Sequence, residues 1–142
     1  MTAHILVVDD DPVQRRLLKA AIEKHGNIAH LAENGRAGLE MLKADGAEYR
    51  AVVLDLLMPE MDGLQFLEQL AELGIDIPCI VQTSQSGIDT IVQAMRAGAF
   101  DFVVKPVSPE RIANAISNAL KLDQREARAR AGRRNRSGAV TF

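Results

Sequence analysis

Residues 51–63 read AVVLDLLMPEMDG, and this stretch decides the fold. Its first four residues are apolar and two are valines, which is typical of a strand buried in a parallel sheet. Asp55 follows where the strand should end, Pro59 cannot donate a backbone hydrogen bond, and Asp62-Gly63 indicates a turn into a helix. Such a carboxylate points into the crevice where α/β proteins bind ligands, although an aspartate that only caps a loop is the alternative.

Short apolar runs alternate with helix-length segments through the first 120 residues. The predicted strands are 5–8, 28–32, 51–54, 79–82 and 100–104, and a helical pattern follows each of them. Five such pairs imply right-handed crossovers and a parallel sheet with helices on both faces, which is an α/β fold. In such a sheet the ligand site lies beyond the carboxyl ends of the strands.

Capping residues mark the starts of three predicted helices. Asp11 precedes Pro12, Asp62 precedes the third helix, and Ser108 precedes Pro109 at the fifth. We expect the first helix to bury one apolar face, formed by Val13, Leu17, Leu18, Ala21 and Ile22.

Composition places the chain among globular proteins of a reducing compartment. The single cysteine, Cys79, rules out an internal disulfide framework. No signal-peptide pattern and no apolar run of membrane-spanning length is present, so we expect a cytoplasmic protein without membrane contact.

The charge is divided unevenly along the chain. Residues 1–120 carry a net charge of −7 and residues 121–142 carry +5. An acidic body with a basic tail predicts that residues 123–142 form a basic linker, whose apolar end at 139–142 begins a further domain. Arginines at 133–136 could instead bind nucleic acid, but no aromatic residues accompany them, and a solvated linker is the favoured interpretation.

Acidic and cationic residues follow the predicted strands. Asp9-Asp10-Asp11 follows the first, Asp55 the third, Thr83-Ser84 the fourth and Lys105-Pro106 the fifth. Crowded carboxylates repel one another unless a cation neutralises them, and oxygen ligands of this kind suit Mg²⁺. A metal, a lysine and a hydroxyl can hold phosphoryl oxygens, and an aspartate such as Asp55 can form an acyl phosphate.

This combination resembles the receiver domains of two-component response regulators. The matching motifs are Val7-Val8-Asp9-Asp10, Asp55 with Met58-Pro59 and Asp62-Gly63, Thr83, and Lys105-Pro106. The resemblance covers residues 3–122 and implies a receiver domain over residues 1–122. It also implies a flavodoxin-like (βα)5 fold with strand order 2-1-3-4-5.

The resemblance assigns a role to each residue at the strand ends. It implies that Asp55 is the phosphoacceptor and that Lys105 pairs with it. Asp10, Asp55 and the backbone carbonyl of Leu57 would bind Mg²⁺ or Mn²⁺ directly, and Asp9 would act through water.

The family also has switch and rate-tuning positions. The resemblance implies that Thr83 moves toward the phosphoryl group and that Phe102 is the switch aromatic, although a core role is the alternative for Phe102. Leu57 and Gln85 occupy the two positions that tune the lifetime of the phosphoryl group. A cis peptide bond is implied at Lys105-Pro106.

The implied function is phosphorylation-dependent signalling. The donor would be a histidine kinase or a phosphotransfer protein, and the chain would be a self-catalysing phosphoacceptor and not a conventional enzyme. Phosphorylation would act on the fourth helix, fifth strand and fifth helix, through which a homodimer is expected. Residues 95–102 followed by Lys105-Pro106 are similar to receivers of sigma-54-dependent activators, in which only the missing output domain would bind DNA.

Three other functions are considered. A phosphate-independent interaction module is disfavoured by the intact acidic pair, Thr83 and Lys105. An aspartyl-phosphate hydrolase is disfavoured because such enzymes usually have a proton-transferring acid at the position where this chain has Leu57. An FMN binder is disfavoured because the triply acidic first loop would repel the FMN phosphate.

Gln82 departs from the apolar residue expected before Thr83. A buried glutamine needs hydrogen-bond partners for its amide. One interpretation places those partners near the fourth helix, and the sequence leaves this open.

Overall fold

The computed structural model describes residues 2–45, 48–84 and 88–121 of the chain. Strands and helices alternate in the order β1 (His4–Val8), α1 (Pro12–Lys24), β2 (Ile28–Ala32), α2 (Gly35–Asp45), β3 (Tyr49–Asp55), α3 (Gly63–Leu73), β4 (Cys79–Thr83), α4 (Ile88–Arg96), β5 (Asp101–Val104) and α5 (109–121). All strand pairs are parallel, and the sheet order is β2-β1-β3-β4-β5. The predicted fold class and strand order are confirmed.

The two faces of the sheet carry separate apolar cores. Successive residues of β3 point to opposite faces, so Val52 and Leu54 pack beneath α2, α3 and α4, while Ala51 and Val53 pack beneath α1 and α5. The covering helices contribute Phe66 from α3 on the first face and Ile112 from α5 on the second. Because β3 is buried on both faces, its central residues 51–54 are all apolar and do not alternate with polar ones.

The predicted caps fix where three helices begin. The Asp11 carboxylate accepts a 2.9 Å hydrogen bond from the Val13 N–H at the start of α1. Asp62 and Gln65 form a reciprocal capping box at the start of α3, with bonds of 2.9 and 3.0 Å. The Ser108 hydroxyl accepts a 3.1 Å bond from the backbone N–H of Arg111 in α5. These bonds satisfy N–H groups that a helix start leaves unpaired.

The prediction for the apolar face of α1 is partly wrong. Leu18, Ala21 and Ile22 are buried against the sheet, but Val13 and Leu17 are each 60% exposed. The helix meets the sheet along a stripe narrower than its apolar surface. Leu17 instead lies in a surface groove beside Pro106 and Val107, in the loop that follows β5.

Two histidines that are distant in sequence meet near the amino-terminal ends of β1 and β3. The Nδ1 atom of His4 lies 2.8 Å from Nε2 of His30, and their rings stack with centroids 5.0 Å apart. The Tyr49 ring packs edge-on against His30 at 5.2 Å. These contacts show that both histidines pack against neighbouring strands of the sheet.

Three predictions cannot be compared with the fold. The domain boundary at residue 122 and the linker at 123–142 lie outside the described residues, as does Gln85. Within the described ranges, no helix is both long and apolar enough to cross a membrane.

Candidate functional site

The carboxyl ends of four neighbouring strands form one rim of the sheet, referred to below as the rim. Val8 pairs with Leu54, so Asp9 and Asp55 extend from neighbouring strands at one level. Asp55 pairs with Gln82, and Thr83 pairs with Val104. Parallel strands bring these chain positions together although they are up to about a hundred residues apart in sequence.

Three aspartates gather at the rim. One carboxylate oxygen from each of Asp9, Asp10 and Asp55 lies within 4.8 Å of the other two. Asp9 and Asp55 are buried and Asp10 is exposed. Three convergent anionic oxygens that are partly open to solvent are a donor set suited to a hard divalent cation such as Mg²⁺.

Asp9 shows the electrostatic cost of this crowding. Its Oδ1 accepts a 2.9 Å bond from the Asp11 N–H, whereas Oδ2 is buried and has no hydrogen-bond partner among the described residues. Burial raises the pKa of Asp9 to about 6, the Asp11 N–H opposes that rise, and the Asp55 charge adds to it. An orphaned carboxylate oxygen with a raised pKa fits a pocket built for a cation.

Asp55 is held by one bond at each carboxylate oxygen. Oδ2 lies 3.2 Å from the Lys105 ammonium, and Oδ1 accepts a 3.2 Å bond from the Leu57 N–H. The side chain of Asp55 is 5% exposed and that of Lys105 is 26% exposed, so water screens this ion pair only in part. The carboxylate is therefore oriented and lies beside a fixed positive charge.

The loop after Asp55 is fixed by close packing at Gly63, the first residue of α3. The Gly63 N–H donates to the Leu56 carbonyl at 3.1 Å, and the Leu56 N–H donates to the Gln82 carbonyl at 3.1 Å. A Cβ atom on Gly63 would lie 2.8 Å from Leu56 Cα and 2.9 Å from the Asp55 carbonyl oxygen. Only glycine allows the helix to approach the loop this closely.

Lys105 is placed by the end of β5. Its backbone N–H donates to the Thr83 carbonyl at 2.8 Å, which extends the β4–β5 ladder by one residue. The Lys105–Pro106 peptide bond is cis. The lysine side chain reaches across the rim to Asp55 on β3.

The remaining predicted site residues differ in exposure. Thr83 is buried, whereas Phe102 is 38% exposed, so the alternative of a core role for Phe102 is wrong. The Leu57 side chain is 64% exposed while its N–H binds Asp55. Phe102 points outward because β5 is an edge strand and only its alternate residue Val103 faces the α1 and α5 core.

Gln82 is the site residue whose place the sequence left open. It is completely buried, and neither amide atom has a partner among the described residues. Alternation along β4 puts it on the face of Ile80, beneath α1 and α5, and not toward α4 as one interpretation suggested. In the sequence, the feature that set Gln82 apart was its amide side chain within an otherwise apolar strand.

Comparison with known families identifies residues 5–117 with the family described as "Response regulator receiver domain". The "Regulatory protein AtoC" of Escherichia coli is 36% identical over 124 residues, which are 86% of this chain and 26% of that protein. The "Response regulator MprA" of Mycolicibacterium vanbaalenii is 38% identical over 112 residues, 79% of this chain and 48% of its own length. The chain thus spans no more than about half the length of these two curated relatives.

Solved structures share the fold. A response regulator receiver domain protein from Clostridium thermocellum superposes with a TM-score of 0.82 at 28% identity, over 86% of this chain and 97% of that one. NtrX from Brucella abortus superposes with a TM-score of 0.85 at 27% identity, over 92% of this chain and 29% of NtrX.

Proposed function

The chain belongs to the response regulator receiver domain family, and from that premise we propose that Asp55 accepts a phosphoryl group and thereby switches the chain between two signalling states. The observation that carries the proposal is the pairing of Asp55 with Lys105 at 3.2 Å inside a cluster of aspartates. A carboxylate placed this way is a nucleophile with a cation beside the position of the incoming charge.

The transfer step is a displacement at phosphorus. A carboxylate oxygen of Asp55 forms a bond to the phosphorus while the bond from phosphorus to the donor breaks, and the bonding electron pair leaves with the donor. Acetyl phosphate would release acetate, and a phosphohistidine would release an imidazole that takes up a proton. The Lys105 ammonium offsets charge on the phosphoryl oxygens, and the Leu57 N–H fixes the orientation of the carboxylate.

The aspartate cluster fits Mg²⁺, or Mn²⁺ in its place. Asp10 and Asp55 would bind the ion directly with the Leu57 carbonyl, and Asp9 would act through water. A bound divalent ion supplies charge neutralisation between the carboxylates and the phosphoryl oxygens. Support comes from the buried, unpartnered Oδ2 of Asp9 and from the raised pKa of its carboxyl group.

The switch would involve Thr83, Phe102 and the surface formed by α4, β5 and α5. After transfer, Thr83 would donate to a phosphoryl oxygen, and Phe102 would change its position on the edge strand. Four apolar residues of α4 and β5, namely Val92, Met95, Phe102 and Val104, are each 38–46% exposed. Exposed apolar residues on these two elements support a homodimer that forms through this surface.

The partner would be a histidine kinase or phosphotransfer protein in the cytoplasm. The exposed side chain of Leu17 stands beside the loop after β5, and Val13, which is also exposed, lies one turn earlier on α1. The output would lie in a domain beyond the basic segment 123–142, of the kind found in sigma-54-dependent activators. That domain would bind DNA, and support for a further domain comes from the match of this chain to only 26% of the length of the regulatory protein AtoC.

Intact-mass measurement tests the proposal. Incubation with acetyl phosphate and Mg²⁺ should add one phosphoryl group, and Asp55→Asn should prevent the addition. Asp62→Asn is a matched control because Asp62 caps α3 and lies outside the aspartate cluster. Failure of the wild-type chain to gain the mass, or persistence of the label in Asp55→Asn, would favour the phosphate-independent interaction module.

A further inference from the structure

Gln82 is a buried amide whose hydrogen-bonding groups are unused in this state. Its side chain is completely excluded from solvent, and both Nε2 and Oε1 lack a partner within the described ranges. Native proteins satisfy nearly all buried polar groups, so an orphan amide needs an explanation. An apolar side chain of the same size would fill the space without leaving these groups unpaired.

The sheet register places Gln82 between the two members of the reactive ion pair. Gln82 is the direct neighbour of Asp55 on β3 and of Val103 on β5. Lys105 lies two residues beyond Val103 and turns back toward Asp55. Directly opposed and diagonal neighbours on one face of a sheet are within reach of a long side chain.

An amide has the chemistry that this pair can use. Its NH2 group donates hydrogen bonds and suits a carboxylate, while its carbonyl oxygen accepts them and suits an ammonium. In the present state Lys105 binds Oδ2 of Asp55 directly. When Lys105 shifts to phosphoryl oxygens, Oδ2 loses that partner and the buried amide is the adjacent group that can replace it.

We propose that Gln82 is a positioning residue for phosphoryl transfer, whose NH2 group steadies the Asp55 carboxylate and whose carbonyl receives the Lys105 ammonium as the phosphoryl group arrives. This inference rests on the proposed function of Asp55. The orphan amide of the resting state is then a destabilising feature that is used during transfer, a pattern common at functional sites.

Gln82→Met tests the inference because methionine keeps the length of the side chain and removes its hydrogen bonds. Labelling by acetyl phosphate and Mg²⁺ should slow by about tenfold, the effect of losing a hydrogen bond to a charged group. The urea midpoint of unfolding should stay equal or rise, since no buried amide remains unpaired. Ile80→Met, two residues earlier on the same core face, is the matched control and should label at the wild-type rate.

A double-mutant cycle with Lys105→Met separates positioning from packing. If Gln82 acts through Lys105, Gln82→Met should change the labelling rate much less in the Lys105→Met background than in the wild type. Equal effects in both backgrounds would overturn the inference, as would an unchanged rate in Gln82→Met. A slowdown accompanied by lower stability and shared by Ile80→Met would also overturn it. If the wild-type chain takes no label at all, the proposed function itself fails, whatever Gln82 does.

Discussion

Lys105 Nζ lies 3.2 Å from Asp55 Oδ2, and this ion pair joins the end of β5 to the end of β3 across the intervening strand β4. The pair places a cation beside the clustered aspartates Asp9, Asp10 and Asp55. It therefore balances part of the negative charge in the absence of metal and also competes with a metal for the same carboxylate.

Lys105→Met should separate these two effects. Without Mg²⁺ the variant should be less stable by about 1–3 kcal/mol, because a nearly buried carboxylate loses its partner. Its affinity for Mg²⁺ should rise several-fold, because a repelling positive charge is gone, while labelling by acetyl phosphate should slow. Titration calorimetry and urea unfolding measure these changes, with Lys105→Arg as the charge-preserving control. Weaker Mg²⁺ binding in Lys105→Met would contradict the electrostatic account.

Asp9 should make the metal-free protein less stable as the pH rises. Its pKa is raised from 3.8 to about 6 in the folded chain, so the fold favours the protonated carboxyl group. The stability that this difference in the pKa of Asp9 contributes to the folded chain is fully present below pH 3.8 and is lost as the pH rises through about 6. Asp9→Asn should remove this loss of stability. At pH 7, in the presence of a chelator that keeps the protein metal-free, the variant should be more stable than the wild type by on the order of 2 kcal/mol. Urea unfolding from pH 4.5 to 7.5 tests this, and parallel profiles for wild type and variant would contradict it.

The sequence predicted the parts of the site that follow from local pattern. Strand ends are visible where an apolar run meets a polar residue, and this placed Asp9, Asp55 and Lys105 at one edge of the sheet. Distances between strands are not local, so the 3.2 Å ion pair could be expected only from the resemblance. The exposure of Val13 and Leu17 was missed because periodicity does not reveal how wide a contact the sheet offers to α1.

Gly63→Ala should disturb the loop that carries Asp55. The new Cβ would lie within 3 Å of backbone atoms of Leu56 and Asp55, which cannot move without shifting the carboxylate. We expect destabilisation by about 2–3 kcal/mol and slower labelling. Gly35→Ala is the matched control, since Gly35 is the first residue of α2 and the atoms nearest to its Cβ would belong to the flexible Met61 side chain. Equal losses in the two variants would show that the Asp55 loop is not specially constrained.

Phe102→Ser combined with Val104→Ser should weaken the proposed homodimer. Both side chains lie on the outer face of edge strand β5 and are close to 40% exposed, so their removal subtracts apolar interface without opening a core. We expect at least a tenfold weaker dimer of the phosphorylated chain by light scattering, about 1.4 kcal/mol. Val13→Ser combined with Leu17→Ser removes comparable exposed area from α1 and should leave the dimer intact. The reverse result would place the dimer interface on α1.

Leu57→Asn should shorten the lifetime of the phosphorylated state. The Leu57 N–H orients Asp55 through the backbone, while the Leu57 side chain is 64% exposed, so the substitution changes the side chain and not this hydrogen bond. An apolar side chain there hinders the attacking water, whereas an amide can orient it. We expect decay of the label to accelerate several-fold, and Leu57→Met, which keeps an apolar side chain, should decay at the wild-type rate. Equal decay in all three proteins, followed by intact mass, would mean that Leu57 does not control access of water to the acyl phosphate.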